Sequence, residues 1–407
     1  IIFFQGGPIR QANLTNYFQS KSKTPLFIGV DAEWGLSMRL DSTHIHPWNM
    51  TLGAVQDLKL IENVGEAMGK ESKRLGVHFN FAPVLDINTN PKNPVIGFRS
   101  FGESKVNVSD RAIALMKGFQ SQGVFSTGKH FPGHGDTSVD SHKALPLVSH
   151  SKEHIDLVEL YPYKRMFDEG LVSVMVGHLN IPSLDPRPNY PTSISQSIVT
   201  ELLQNEMQFE GLIFTDAMNM KGVSNYRIID SIPSKPGEIE LKAFLAGNDI
   251  LLCSDNVPAT IDIMRSAYQE NVISEERLSH SVKKILHYKY KAGLNIKKTV
   301  ETANLISDIN PASNEALQYQ LFENAVTVLQ NKDNIIPIKN LQKNKIAYVK
   351  LGDGENSNFV ESLKKYTEIT EIASKDLDSL ILKLKDFDLV IIGFHKSDKA
   401  WRNQEFT

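Results

Sequence analysis

Val124-Phe125-Ser126-Thr127-Gly128-Lys129-His130-Phe131-Pro132-Gly133-His134-Gly135-Asp136, with Asp140-Ser141-His142 just after it, decides how this chain is read. A short apolar run, Val124–Ser126, gives way at once to three histidines, a lysine and two aspartates. Pro132, Gly133 and Gly135 exclude a helix interior. The pattern predicts a polar loop leaving the end of a buried strand, a place where chemistry tends to sit. Two plainer readings compete with it. One is a solvated turn rich in Gly and Asp. The other is a zinc site at His130, His134 and His142, but that spacing fits no standard ligand pattern and the lone Cys253 lies far off in sequence. No metal site is assigned.

The pattern of that stretch repeats along the chain. Apolar runs at Ile1–Phe4, Leu26–Val30, Val77–Leu85, Val124–Ser126, Leu171–Val176, Leu212–Phe214 and Ile250–Cys253 each end in a polar or glycine-rich turn. Helical patterns lie between them, at Asp57–Leu75, Ser109–Gln122, Leu157–Glu169 and Ser195–Gln208. Strand alternating with helix predicts an α/β fold with parallel strands. The strand count favours a (β/α)8 barrel of the TIM type, its first strand expected upstream of Ile1. No glycine-rich dinucleotide fingerprint follows a strand, which weighs against a doubly wound sheet. The expected strands end in Asp31, Asp86, Lys129-His130, His178, Asp216 and Asp255. In a barrel these converge on one mouth. A single strand-end aspartate could be a helix cap, but six polar ends together are hard to explain that way.

Length and composition agree with this reading. A chain of 407 residues implies about two domains. Hydrophobic content of 41%, charged content of 22% and a formal charge of -3 describe a globular protein with no pull towards nucleic acid or anionic membranes. One cysteine excludes an internal disulfide framework. No run of about 18 apolar residues is present, so no membrane span is expected. The opening Ile1-Ile2-Phe3-Phe4 reads as the inside of a strand, with the true N-terminus and any signal peptide expected before it.

A helix near Ser279–Leu294 closes the barrel, giving a first domain over 1–294. The polar stretch 295–313 reads as a linker. A second domain over 314–407 follows, with helix Ala316–Leu329, strand Ile346–Val349, helix Phe359–Tyr366 and strand Leu389–Ile392. It stops at Thr407 without a closing pattern, leaving room for a further fused C-terminal domain.

Three residues carry the chemistry. Asp216, in Leu212-Ile213-Phe214-Thr215-Asp216-Ala217-Met218, is held by a strand and suits a nucleophile attacking one carbon from one face. Asp140-x-His142 offers an imidazole with a carboxylate close enough to orient it, the arrangement of general acid–base catalysis. A nucleophilic carboxylate facing a proton donor is the logic of retaining glycosidases, with histidine replacing the usual second carboxylic acid.

On these residues the sequence resembles glycoside hydrolase family 3, and within it the bacterial β-N-acetylglucosaminidases that cleave N-acetylglucosamine from peptidoglycan fragments. The matching pieces are Gly29-Val30-Asp31-Ala32-Glu33-Trp34-Gly35 with Arg39, Asn80-Phe81-Ala82-Pro83-Val84-Leu85-Asp86, and Phe98-Arg99-Ser100-Phe101-Gly102. Gly128–Asp136, Asp140-Ser141-His142 and Thr215-Asp216-Ala217-Met218 complete the set, which spans most of residues 1–294. The second domain resembles the start of the family's α/β sandwich domain. The resemblance implies a retaining, cofactor-free exo-enzyme acting on a carbohydrate substrate. Asp216 would be the nucleophile, His142 the acid/base and Asp140 its partner. Asp31, Arg39, Arg99, Lys129 and His130 would bind the terminal sugar. His134, His178 and Asp86 would support them or simply pack.

Phosphorolysis, another family 3 glycosidase activity, an inactive carbohydrate-binding scaffold and a metal-dependent hydrolase are the competing readings. The compartment is open; the second domain points towards the cell envelope more than the cytoplasm. The His44, His46, Trp48 cluster needs no functional role.

Overall fold

The computed structural model describes residues 1–227 and 234–395. Its first compact unit, Ile1–Val326, is built on six parallel strands hydrogen-bonded in chain order. They are β1 (Gly29–Val30), β2 (Phe79–Asn80), β3 (Phe125–Phe131), β4 (Ser173–Val176), β5 (Leu212–Ala217) and β6 (Ile250–Leu252). Sequential parallel neighbours joined by helices are the barrel-type topology expected from the alternating pattern. The sheet curls. Phe79 on β2 and Phe214 on β5 have two strands between them in the order, yet their rings sit 5.2 Å apart, edge to face. Phe81, Phe125, Met175 and Leu212 join them in the apolar filling of the concave side.

Strands β1 to β4 are buried on both faces, because helices cover the outside of the sheet. Helix Leu58–Arg74 starts at Asp57, whose side chain accepts from the Lys59 N–H at 2.9 Å. It packs along helix Lys105–Ser121 with backbones nearly touching. A Cβ on Gly65 would strike the Leu115 carbonyl, and one on Gly118 the Glu62 carbonyl. Helices Tyr161–Asp168 and Glu275–Lys291 also stand near the expected positions, while Ser197–Glu206 takes the wider π-helical form. Asp249, just before β6, accepts from the Ile213 N–H and from Lys284, locking helix Glu275–Lys291 to the sheet.

Several expectations are corrected. The apolar run Ile1–Phe4 is not a full strand; it contributes one bridge, Ile2 to Gly29, and its terminal amine donates to the Phe27 carbonyl at 2.8 Å. Lys129 and His130 are not in a loop. They lie inside β3, whose pairing with β4 continues through Lys129 and resumes at Phe131 around a bulge at His130. The strand persists there because its charged groups find partners, as described below.

Residues 295–313, read from the sequence as a linker, are built into the first unit. Leu305 and Ile309 are buried against Ala12, Ile28 and Leu75. Arg74 holds the segment with hydrogen bonds to Asp308 and to the carbonyls of Glu301 and Ala303. Helix Ala312–Ala325 follows, with Leu321 in the main core and Asn314 donating to buried Glu71 at 2.7 Å. The second unit begins at Thr327 and holds a parallel sheet in the order β8–β7–β9: β7 (Ile346–Leu351), β8 (Ile369–Glu371) and β9 (Leu389–Phe394). Strand β8 and helix Leu377–Leu384 were not anticipated. The end of the expected second domain, 396–407, lies outside the described residues.

Leu305 tests whether the supposed linker is structural. Leu305→Ala should destabilise the first unit by about 3 kcal/mol in denaturant unfolding, the usual cost of emptying a closed apolar site. A tethering linker would give no change.

Candidate active site

Asp31, the first residue after β1, lies between two cations. Arg39 Nη2 donates to one of its oxygens at 2.7 Å and Lys129 Nζ to the other at 2.9 Å. Glu33, two residues on and fully buried, accepts from Lys129 at 2.7 Å and from both Nε and Nη2 of Arg99 at 3.0 and 2.7 Å. The forked arginine–carboxylate geometry fixes direction as well as charge. Burial would push both carboxyls up, but Lys129 and Arg39 hold Asp31 below its ordinary value, and Arg99 and Lys129 hold Glu33 far below it. Lys129, itself buried, stays an ammonium: desolvation favours the amine, but Asp31 and Glu33 outweigh it. The lattice is therefore ionised at neutral pH, with its polar groups aimed at one place.

A second network stands beside it. Asp86, beyond β2, accepts from His130 Nδ1 at 2.7 Å and from the backbone N–H groups of His130 and His134 at 3.2 and 2.7 Å. His134 bonds Ser141 Oγ at 3.0 Å and Thr137 Oγ1 at 2.6 Å, so the loop after β3 is tied to the turn carrying His142. Gly135 is required: a Cβ there would collide with the Ile87 carbonyl. Asp216, within β5, accepts from the Ala217 N–H at 2.7 Å. Burial opposes its ionisation, but His130, then His178, the Ala217 N–H and Lys129 keep its pKa below the usual value. His178 is itself fixed between Ser193 Oγ at 2.7 Å and the Ala217 carbonyl at 3.0 Å, bracing the strand end that presents Asp216.

Asp140 accepts from both the backbone N–H and Nδ1 of His142, at 2.9 and 2.8 Å. That pins the imidazole and leaves Nε2 outward, on a side chain 64% exposed. Asp31, Arg39, Arg99, Lys129, His130, His142 and Asp216 line one cavity of about 90 Å³, with Asp140 behind His142. All eight residues singled out from the sequence thus meet at one place. Asp255 does not: it is exposed and absent from the cavity wall.

Glu33 is the residue that sequence reasoning missed. It lies inside a quoted motif, but its role depends on Arg99, 66 positions away. Trp34, Trp48 and Phe98 form a half-buried aromatic cluster, with Trp48 stacked on Phe98 at 4.2 Å. His46 is satisfied by Glu71 at 2.9 Å, in keeping with a structural cluster. Among the described residues no group of three or more His, Cys, Asp and Glu is placed to hold a metal ion, and no helix is long and apolar enough to cross a membrane.

Residues 5–288 match the model of the glycosyl hydrolase family 3 N terminal domain. The chain belongs to glycoside hydrolase family 3. It is 33% identical over 345 residues to beta-hexosaminidase A of Pseudoalteromonas piscicida, a match covering 79% of this chain and 56% of that one. It is also 33% identical to the beta-hexosaminidase of Nitrosomonas eutropha, over 67% of this chain and 78% of the relative. The chain therefore spans little more than half the length of the first of these. Among solved structures, the family 3 beta-N-acetylglucosaminidase of Paenibacillus sp. str. FPU-7 superposes with a TM-score of 0.77 at 28% identity, over 96% of this chain and 78% of that one.

Behind the loop, Glu159 is 2% exposed, and neither of its carboxylate oxygens has a hydrogen-bond partner among the described residues. Burial, with Asp86 and Asp136 adding, pushes its pKa up to about 8. A carboxyl raised in the folded chain favours folding fully below its unfolded pKa, and that contribution is lost as pH rises through the folded value. Glu159→Gln should therefore change the melting temperature little at pH 4 and raise it by about 3 °C or more at pH 8. Equal melting shifts at both pH values would contradict a protonated Glu159.

Proposed function

We propose that this protein is a retaining exo-β-N-acetylglucosaminidase that releases terminal β-linked N-acetylglucosamine, with peptidoglycan fragments as its natural substrates. The observation that carries the reading is the placement of Asp216 and the Asp140–His142 pair on one small cavity walled by ion-paired carboxylates and cations. Asp31 accepts from sugar hydroxyls, while Arg39, Arg99, Lys129 and His130 donate to sugar oxygens. The hexosaminidase names of the relatives support the same choice of sugar.

In the first step Asp216 attacks the anomeric carbon and forms a glycosyl ester. The glycosidic C–O bond breaks, and the departing oxygen takes the proton of His142 Nε2. In the second step His142 removes a proton from water as its oxygen attacks the same carbon. The ester breaks, Asp216 returns as carboxylate, and the sugar leaves with its configuration retained. Asp140 keeps Nδ1 protonated and supports the imidazolium, so that Nε2 does the transfer in both directions. The ionised state of Asp216 fits a nucleophile, and the exposure of His142 fits a group that must reach both leaving group and water.

His142→Ala should cost about 10²- to 10⁴-fold in kcat/KM on substrates with poor leaving groups, the usual size of general acid catalysis. With activated aryl leaving groups the loss in the first step should be small, because a phenolate departs without a proton. Asp140→Ala should show the same dependence in milder form. Equal losses for good and poor leaving groups would remove His142 from the role of proton donor.

A further inference from the structure

The end of the first unit opposite the catalytic mouth carries a pocket of about 450 Å³. Pro25 precedes β1, and Val77 and His78 precede β2, so the wall is built where the strands begin, whereas the catalytic groups stand where they end. Helix Leu58–Arg74 supplies Lys73 and Arg74 to it, and the segment after helix Glu275–Lys291 supplies Lys297 and Lys298. Glu301 is the one carboxylate residue on the wall among the described residues. Arg74 is engaged by Asp308 and by the carbonyls of Glu301 and Ala303, and Lys297 by the Ser22 carbonyl at 2.8 Å. Two ammonium groups are left. Lys73 reaches only the Gly123 carbonyl, at 3.4 Å, and Lys298 has no hydrogen-bond or ion-pair partner among the described residues. Burial, with the charge of Lys298 adding, holds the Lys73 pKa below its ordinary value, so the two stand close enough to oppose each other. Two neutral donors share their wall. His78 Nδ1 accepts from the Ile28 N–H at 3.1 Å, and burial, with Lys73 adding, pushes the ring's pKa down to about 4, so its hydrogen sits on Nε2 without an acceptor among the described residues. Thr15 is 2% exposed, and its hydroxyl has no partner either. Solvated surface lysines need no ligand, but they do not account for a buried hydroxyl and an imidazole N–H left unanswered beside them.

We propose that this pocket binds a phosphate group carried by a small soluble molecule, held by Lys73, Lys298, the Nε2–H of His78 and the Thr15 hydroxyl. A phosphate monoester brings close to two negative charges and three terminal oxygens. It relieves the repulsion between the two ammonium groups and still has oxygens for the two neutral donors, which a singly charged carboxylate matches less completely. The volume lies in the range of small-molecule sites, and a concave wall suits one bound molecule better than a flat membrane surface. An occupant ties the segment at Lys297 and Lys298 to helix Leu58–Arg74, so binding stabilises the first unit. The site does not depend on the glycosidase reading. It also stands apart from the catalytic lattice, whose cations are matched to their own carboxylates.

The test is thermal unfolding of the full chain with inorganic phosphate and with phenyl phosphate, against acetate and chloride at matched ionic strength. At about ten times its dissociation constant, phenyl phosphate should raise the melting temperature by about 2 °C, and acetate and chloride should not. In Lys73→Gln/Lys298→Gln, at two exposed positions, the rise should vanish, while hydrolysis of an aryl N-acetylglucosaminide without added anion stays at the parent rate. Thr15→Val, which removes the hydroxyl at nearly constant volume, should weaken binding about threefold or more. In Asp216→Asn the rise should persist, which separates this pocket from the catalytic cavity. No rise in the parent, an equal rise with acetate, or a rise that survives the double substitution overturns the proposal. So does binding to anionic phospholipid vesicles that the double variant loses, with no rise from the soluble phosphates, since the occupant would then be a membrane headgroup.

Discussion

The site depends on one buried ammonium. Lys129 sits inside β3 at 3% side-chain exposure, where an unpaired charge would cost several kcal/mol. It is tolerated because two carboxylates, Asp31 and Glu33, reach it at 2.9 and 2.7 Å from the segment after β1. Each of those carboxylates is in turn bound by an arginine. Removing any member leaves another charge buried and short of a partner, so the five side chains fix one another. That mutual dependence lets a strand carry a lysine and a histidine through the interior, and it sets the wall of the cavity before a substrate arrives.

The neighbouring groups divide the remaining tasks by exposure. Asp86 is fully buried and spends its oxygens holding His130 and the loop that begins after β3. Asp216 is held on β5 and kept ionised by the histidines around it. His142 stands on a turn in solvent, its imidazole held by Asp140. A wall fixed by its ion pairs, with the proton carrier on an exposed turn, matches what the proposed double displacement asks of each: the attacking carboxylate must not wander, and the acid must serve two different oxygens.

Much of this was legible in the sequence, because strand–helix alternation and strand-end polar residues are short-range signals. Asp31, Asp216 and the Asp140–His142 pair could be found from position and spacing. The failures share a cause: each needed a distant partner. Lys129 and His130 looked like a loop because their polarity argues against a strand, and only Asp31, Glu33 and Asp86 make the strand possible. Glu33 was quoted within a motif but given no role, because its partner Arg99 lies 66 positions away. Residues 295–313 looked like a linker because the stretch is mostly polar, and the burial of Leu305 and Ile309 depends on Ala12, Ile28 and Leu75 far away in sequence. Asp255 shows the converse, since a strand-end aspartate with no partner among the described residues to draw it inwards stays in solvent.

The most direct test of the account is to trap the covalent intermediate with a slow fluorinated N-acetylglucosaminyl substrate carrying an activated leaving group, then map the modified peptide by mass spectrometry. The account predicts a single glycosyl ester on Asp216, with the β-anomer formed first in turnover with an ordinary substrate. An adduct on another carboxylate, or an α-anomer formed first without any adduct, would contradict it.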